Sequence, residues 1–240
     1  MDSSVVSLKN RQEIAHGTMA FHLEKPPGFH FKAGQALDVT LIDPTETDPE
    51  GNSRAFSIVS PPYADDLVVA TRMRDTPFKR SLKTVSLGTR VRVDGPSGSF
   101  TLHNNHAKPG VFLACGIGIT PFVSILRQAG KDKLPHKLYL FYSNRRPEDA
   151  AFLEDLEALV RQNSGFDLVA TMTRMEKSSR EWKGEIGKIN REMLVKHIPA
   201  LQGPIYYLAG PSAMVTGMRN VLVGAGVDED DIRTEEFAGY

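Results

Sequence analysis

A change of rhythm near residue 105 constrains this 240-residue chain more than any other feature. Before it, six short runs alternate apolar and polar residues between turn residues: VVSLKNRQEIA, TMAFHLEKPPG, GQALDVTLIDP, RAFSIVSPP, DLVVATRMRD and RVRVDGPSG. Short, evenly punctuated alternation predicts an antiparallel barrel or sandwich, with FKRSLKTV as one or two helical turns before the last strand. After the change, strand-like runs alternate with helical segments: VFLAC with TPFVSILRQAG, KLYLFYSN with EDAAFLEDLEALVRQ, DLVATMT with INREMLVKHI, IYYLAG with PSAMVTGMRNVLVGAG, and IRTEEF last. That pattern predicts βαβ units on a parallel sheet covered on both faces. The expectation is two domains, an antiparallel β-barrel over 1–106 and an α/β parallel-sheet domain over 107–240, joined near HNNHAKPG at 103–110.

Composition removes several function classes. Lys plus Arg (29) equals Asp plus Glu (29), so no basic excess argues for nucleic acid or an anionic membrane surface. The single cysteine, Cys115, excludes an internal disulfide, a Cys-x-x-Cys redox pair and an iron–sulfur cluster held by several thiolates of this chain. Any electrons moved here need an organic cofactor. Residues 109–126 carry no charge and reach the length of a membrane span, but three glycines and two prolines interrupt them, which predicts strand, tight turn and helix. The polar start MDSSVVSLKNRQE shows no export signal, so cytoplasm is the expected location.

The stretch FLACGIGITPF then carries the chemistry. An apolar strand running into Gly116, Ile117 and Gly118 predicts a phosphate-binding turn at a helix N-terminus, where amide groups and the helix dipole favour an anion. Pro121 fits the first helical turn, where its missing N–H costs nothing, and Thr120 can cap. The next strand ends in Ser143, Asn144, Arg145 and Arg146 where an ordinary Rossmann site has an acid for the ribose hydroxyls.

In SRAFSIVSPP, Arg54 and Phe56 share one strand face while Ser57 points the other way; the pair reads either as a barrel strand with Phe56 in the core and Arg54 reaching water, or as a phosphate-holding cation beside a flat apolar surface. Downstream, Thr71, Arg72, Arg74, Lys79, Arg80 and Ser81 form a basic, hydroxyl-bearing helix start that suits a second phosphate. His103 and His106 lack a local cysteine or acid, which argues against a metal. GPSGS at 95–99 lacks the strand-to-helix elbow of a hydrolase.

In this order the motifs resemble the ferredoxin–NADP reductase superfamily: Arg54-Ala55-Phe56-Ser57 is similar to its flavin motif and Gly116 to Pro121 to its pyridine-nucleotide motif. Ala209-Gly210-Pro211 is similar to its late Cys-Gly-Pro turn, with alanine replacing the cysteine, and Glu236-Phe237 to its terminal Glu-aromatic pair. The resemblance implies a bound FAD, with FMN the lesser alternative. Arg54, Lys79, Arg80 and Ser81 would hold its phosphates and Phe56 would stack on the isoalloxazine; Thr71 is added to that cofactor set. Ser57, the candidate catalytic residue, would lie near the hydride-accepting nitrogen, and Tyr240 or Phe237 would cover the flavin. The Gly116 loop would take the pyrophosphate of NADH or NADPH, and Ala209 to Pro211 would flank the nicotinamide. Arg145 and Arg146 favour NADPH, while Glu148 and Asp149 can serve NADH. The implied activity is an NAD(P)H reductase passing electrons to a separate acceptor, whether a ferredoxin-like protein, an oxygenase component or a small oxidant. The alternative is a non-catalytic nucleotide-sensing module of the same architecture.

Overall fold

The computed structural model describes residues 2–237. Six strands come first: β1 (Asp2–Ala15), β2 (Thr18–Glu24), β3 (Ala36–Leu41), β4 (Ser53–Ser57), β5 (Asp66–Arg72) and β6 (Arg90–Ser97), with the helix α1 (Pro77–Thr84) before β6. They pair antiparallel in the order β4-β3-β6-β1-β2-β5. The long β1 changes partner along its length, with residues 2–7 on β6 and 8–15 on β2. Just past β4, Val59 N–H donates to the Val68 carbonyl of β5 at 2.8 Å, so the two edge strands meet and the sheet curls into a barrel. Alternation sends Leu37, Val39 and Leu41 of β3 and Val91 and Val93 of β6 into one core with Phe21, Leu23 and Phe78.

The remaining strands, β7 (Gly110–Cys115), β8 (Leu138–Asn144), β9 (Phe166–Met172), β10 (Glu185–Ile186), β11 (Ile205–Gly210) and β12 (Ile232–Glu236), form one parallel sheet in the order β10-β9-β8-β7-β11-β12. Helices α2 (Thr120–Lys131) and α3 (Leu153–Gln162) cover one face through Phe122, Leu126 and Leu156; α4 (Arg191–His197) and α5 (Ser212–Gly224) cover the other through Leu194, Val215 and Leu222. Every residue of β8 is buried, as expected of a central strand with both faces covered. No described helix is long and apolar enough to cross a membrane.

Two local expectations change. The single helix expected over 148–162 is broken: a 3-10 turn spans Pro147–Asp149, Phe152 is left-handed (φ 60°), and α3 starts after it. Tyr142 Oη donates to the Ala151 carbonyl at 3.1 Å and fixes that turn. Thr120 does not cap α2 either. A 3-10 turn over Gly116–Ile119 runs straight into the helix, and the Thr120 hydroxyl donates back to the Ile117 carbonyl at 3.0 Å.

The seam between the sheets is apolar and braced. Val59, Ala20, Ala70 and Phe100 share one buried cluster with Phe122, Ile125 and Leu126 of α2. Ser124 Oγ, fully buried, donates to the Ser60 carbonyl at 2.9 Å. His103 closes a polar chain: its amide donates to Tyr207 Oη at 2.9 Å, its Nδ1 also lies 2.9 Å from that oxygen, and its Nε2 lies 2.9 Å from the Lys108 carbonyl. Arg233 donates to Tyr207 Oη at 3.2 Å, and His136 Nε2 lies 3.0 Å from the His103 carbonyl.

Burial holds both imidazoles below their ordinary value of 6.5, with the neighbouring histidine and Arg233 adding to the effect at His103 and His106 adding to it at His136. On acidification the unfolded chain therefore takes up protons that the folded chain refuses. The contribution is fully present above pH 6.5 and is lost as pH falls below it. The thermal midpoint should drop between about pH 7 and about pH 5. A His136→Gln variant, whose amide can still donate to the His103 carbonyl, should show a shallower drop; equal slopes in both proteins would clear the histidines.

Candidate functional site

Two basic regions lie on the two halves. On the barrel, Arg54 and Phe56 do share a face of β4, since both lie against Phe78 of α1: the guanidinium carbon sits 5.2 Å from the Phe78 centroid and the Phe56 centroid 6.1 Å from it. Thr76 caps α1 by accepting from the Lys79 amide, and Pro77 occupies its first turn. Lys79 is half-buried, with its Nζ donating to the Arg72 carbonyl at 2.8 Å. Burial, then the charges of Arg74 and Arg54, push its pKa down. Of these three cations Arg54 is paired with Asp48 and Glu50, whereas Lys79 and Arg74 have no ion pair among the described residues, so an anion beside them is favoured.

Ser57 faces the other way, as the alternation requires. Its hydroxyl is buried and has no hydrogen-bond partner among the described residues. A buried hydroxyl left without a partner costs about 1–3 kcal/mol, so this is a position where a ligand group fits. Four of the residues expected on this side are placed as follows. Phe56 is only 8% exposed and belongs to the barrel core beside Phe78, because the inward face of β4 continues that of its partner β3; little of its ring is left to stack on a ligand. Arg80 points outward into ion pairs with Glu46 (2.7 Å) and Asp75. Ser81 lies on the buried side of α1, and Thr71 is buried on β5, its hydroxyl 3.4 Å from the Arg72 carbonyl. Tyr240 lies outside the described residues.

The second region is a cleft of about 780 Å3 at the carboxyl ends of β7, β8 and β11, where an open α/β sheet presents its ligands. Gly116 and Ile117 line it together with Ser143, Asn144, Arg145 and Pro211, whereas Gly118, Thr120 and Pro121 are buried behind it. Gly116 takes a left-handed φ of 52° to turn the chain. At Gly118 a Cβ would sit 2.2 Å from the Ala209 carbonyl oxygen, so this glycine makes room for β11. Ala209 is fully buried and Gly210 is buried too; of the three residues expected beside the nicotinamide only Pro211 reaches the cleft.

Four cations line this cleft: Arg72, Arg145, Arg174 and Lys188. None of them has an ion pair among the described residues. Asp149, the one acid among the described residues that line the cleft, is held by Arg146 at 2.8 Å, a hydrogen bond that keeps its carboxyl below the usual range. Arg146 is thereby spent. Glu148 accepts from its own amide and from Ser178 and Ser179, contacts that push it down to about 2, and it lines a separate cavity. Burial raises the Cys115 thiol beside the glycine turn.

Sequence reasoning missed Arg174 and Lys188, which follow β9 and β10 and so arrive at the same sheet end as Arg145. Nor did it consider Glu235, the neighbour of the Glu236-Phe237 pair. The alternation of β12 turns Glu235 inward, in register with Ala209, where burial pushes its carboxyl up to about 7 and Oε2 has no partner among the described residues.

Residues 112–220 match the oxidoreductase NAD-binding domain family. Ferredoxin–NADP reductase B of Sorangium cellulosum is 28% identical over 229 residues, covering 91% of this chain and 90% of that one. Over nearly its whole length the chain is therefore similar to ferredoxin–NADP reductases. It is also similar to the glycine betaine monooxygenase reductase subunit of Chromohalobacter salexigens, 27% identical over 224 residues, covering 92% of this chain and 60% of that protein. The chain spans 57–60% of the length of the first relatives it matches. The two-sheet fold is that of the superfamily: the structure of a ferredoxin NADP+ reductase from Neisseria gonorrhoeae with bound FAD and NADP superposes with a TM-score of 0.79 at 23% identity, covering 98% of each chain.

Proposed function

We propose that this chain is an FAD-containing NADPH oxidoreductase that delivers electrons to a separate redox protein or oxygenase component. The observation that carries it is the pair of basic regions, one on the barrel and one at the sheet end, each gathering cations beside a turn or helix start. One dinucleotide supplies the anion that the cleft cations lack, and the phosphates of the other join Arg74 and Lys79 on the barrel, beside an Arg54 that already has Asp48 and Glu50 as partners. The barrel residues fit a flavin: Arg54, Arg74 and Lys79 would hold its phosphates, and the partnerless Ser57 hydroxyl would hydrogen-bond it. FAD, when bound, accepts a hydride from a nicotinamide and releases the electrons one at a time. The protein's own part is to orient two ring systems and to exclude water from the space between them.

The cleft supports NADPH over NADH. Arg145, Arg174 and Lys188 offer three cations without ion pairs, which suits an added ribose phosphate, and both acids that favoured NADH are committed elsewhere. The relatives' roles support an acceptor outside these 240 residues, whose single cysteine cannot by itself hold an iron–sulfur cluster.

The test is anaerobic titration of the purified, flavin-loaded protein with each nucleotide. NADPH should bleach the flavin band, with kcat/KM for a dye acceptor about 100-fold above that for NADH, the equivalent of about 2.7 kcal/mol. Nucleotide binding without bleaching would instead support the sensing module, and failure to take up any flavin would end the reductase reading.

A further inference from the structure

Both arginines that the sequence assigned to the flavin phosphates are held by carboxylates of one loop, the β3–β4 connection over residues 42–52. Asp48 grips Arg54 Nη2 with both oxygens, at 2.6 and 2.7 Å, and Glu50 lies 3.1 Å from its Nε. The remaining group, Nη1, donates to the Gly51 and Ser53 carbonyls at 2.9 and 2.7 Å. A guanidinium has five N–H groups, and here every nitrogen is engaged. The same loop reaches α1 through Glu46, which accepts from Arg80 Nε and Nη2 at 2.9 and 2.7 Å. Arg54 is only 19% exposed, so its bidentate partner is partly shielded from water.

We propose that residues 46–50 form a carboxylate strap that occupies Arg54 and Arg80 in place of a phosphate, so that FAD seats its phosphates only by displacing it. The proposal rests on the flavin reading above. A carboxylate and a phosphate offer the same planar fork the same pair of acceptor oxygens, so they compete for one position. Lys79 and Arg74, which carry no carboxylate of the strap, provide the first foothold for the incoming phosphate, and the strap lifts as Arg54 changes partner. Flavin affinity is then set by the difference between two anions on one cation, and the strap lowers it without touching the ring site around Ser57.

The experiment titrates flavin-free protein with FAD and with riboflavin, which has no phosphate, following quenching of flavin fluorescence. The wild type, a Glu46→Gln/Asp48→Asn/Glu50→Gln variant and a single Asp48→Asn variant are compared. The expected result is FAD binding about tenfold tighter in the triple variant, with a smaller gain in Asp48→Asn and riboflavin binding unchanged throughout. Equal or weaker FAD binding in both variants overturns the strap, since the carboxylates would then merely support Arg54. A matching gain for riboflavin overturns it as well, because phosphate competition cannot act there. Flavin uptake by none of the proteins sinks the flavin reading itself, an outcome separate from equal uptake by all. Should the triple variant misfold, Asp48→Asn alone decides the matter.

Discussion

Replacing Arg145 and Arg174 together by glutamine is expected to lower kcat/KM for NADPH by about 100-fold while leaving NADH within about threefold, so that the preference disappears. A hydrogen bond to a charged group contributes about 1.5–3 kcal/mol, and both side chains are exposed at the cleft rim, where water screens them toward the lower end of that range. Two such contacts therefore give about 3 kcal/mol, or somewhat over two decades. Stopped-flow flavin reduction with each nucleotide reads the effect directly, because it reports the hydride step apart from the acceptor. If the variant keeps its preference, the cleft cations do not read the ribose phosphate.

Gly118→Ala is expected to be the most damaging single methyl group in the chain's second half. The added Cβ meets three backbone atoms of β11: the Ala209 oxygen at 2.2 Å, the Ala209 carbon at 2.5 Å and the Gly210 nitrogen at 2.8 Å. No side chain can swing away to relieve it. Overpacking that moves backbone costs about 3 kcal/mol or more, which in a chain of this size lowers the midpoint by roughly 6–12 °C in calorimetry. Since Gly118 also holds the glycine turn against β11, nucleotide affinity should fall in parallel. A loss of affinity at unchanged stability would mean that the glycine serves the ligand directly after all.

The architecture was legible because it is written in short-range periodicity. Alternation in the first six strands and the strand–helix rhythm afterwards each follow from which side chains must leave water, and the structure has both sheets in that sequence order. The break in α3 was not legible, because Phe152 carries no signature of a left-handed residue; the turn is imposed by the Tyr142 bond to Ala151. At the site, residue types were readable and their partners were not. Arg80 meets Glu46 across 34 positions, and Glu148 meets Ser178 across 30, so charge alone could not say which cations remain for a ligand. Arg174 and Lys188 were hidden by a similar distance in sequence. A signal existed: each stands just beyond the end of a strand in the parallel sheet, the place where such sheets gather their ligands. Phe56 and Ala209 show the converse, for a motif position names a residue but not how much of it the neighbouring strands cover.

The apolar seam described above also bears on how the chain is made. Val59, Ala70 and Phe100 are covered by Phe122, Ile125 and Leu126, residues synthesised after them. A ribosome adds about 5–20 residues each second, so the nascent first half waits several seconds with that face wet. Its barrel strands can begin to pair, but the seam stays sticky until α2 emerges. Slower translation through that stretch would lengthen the time for which the seam face is exposed.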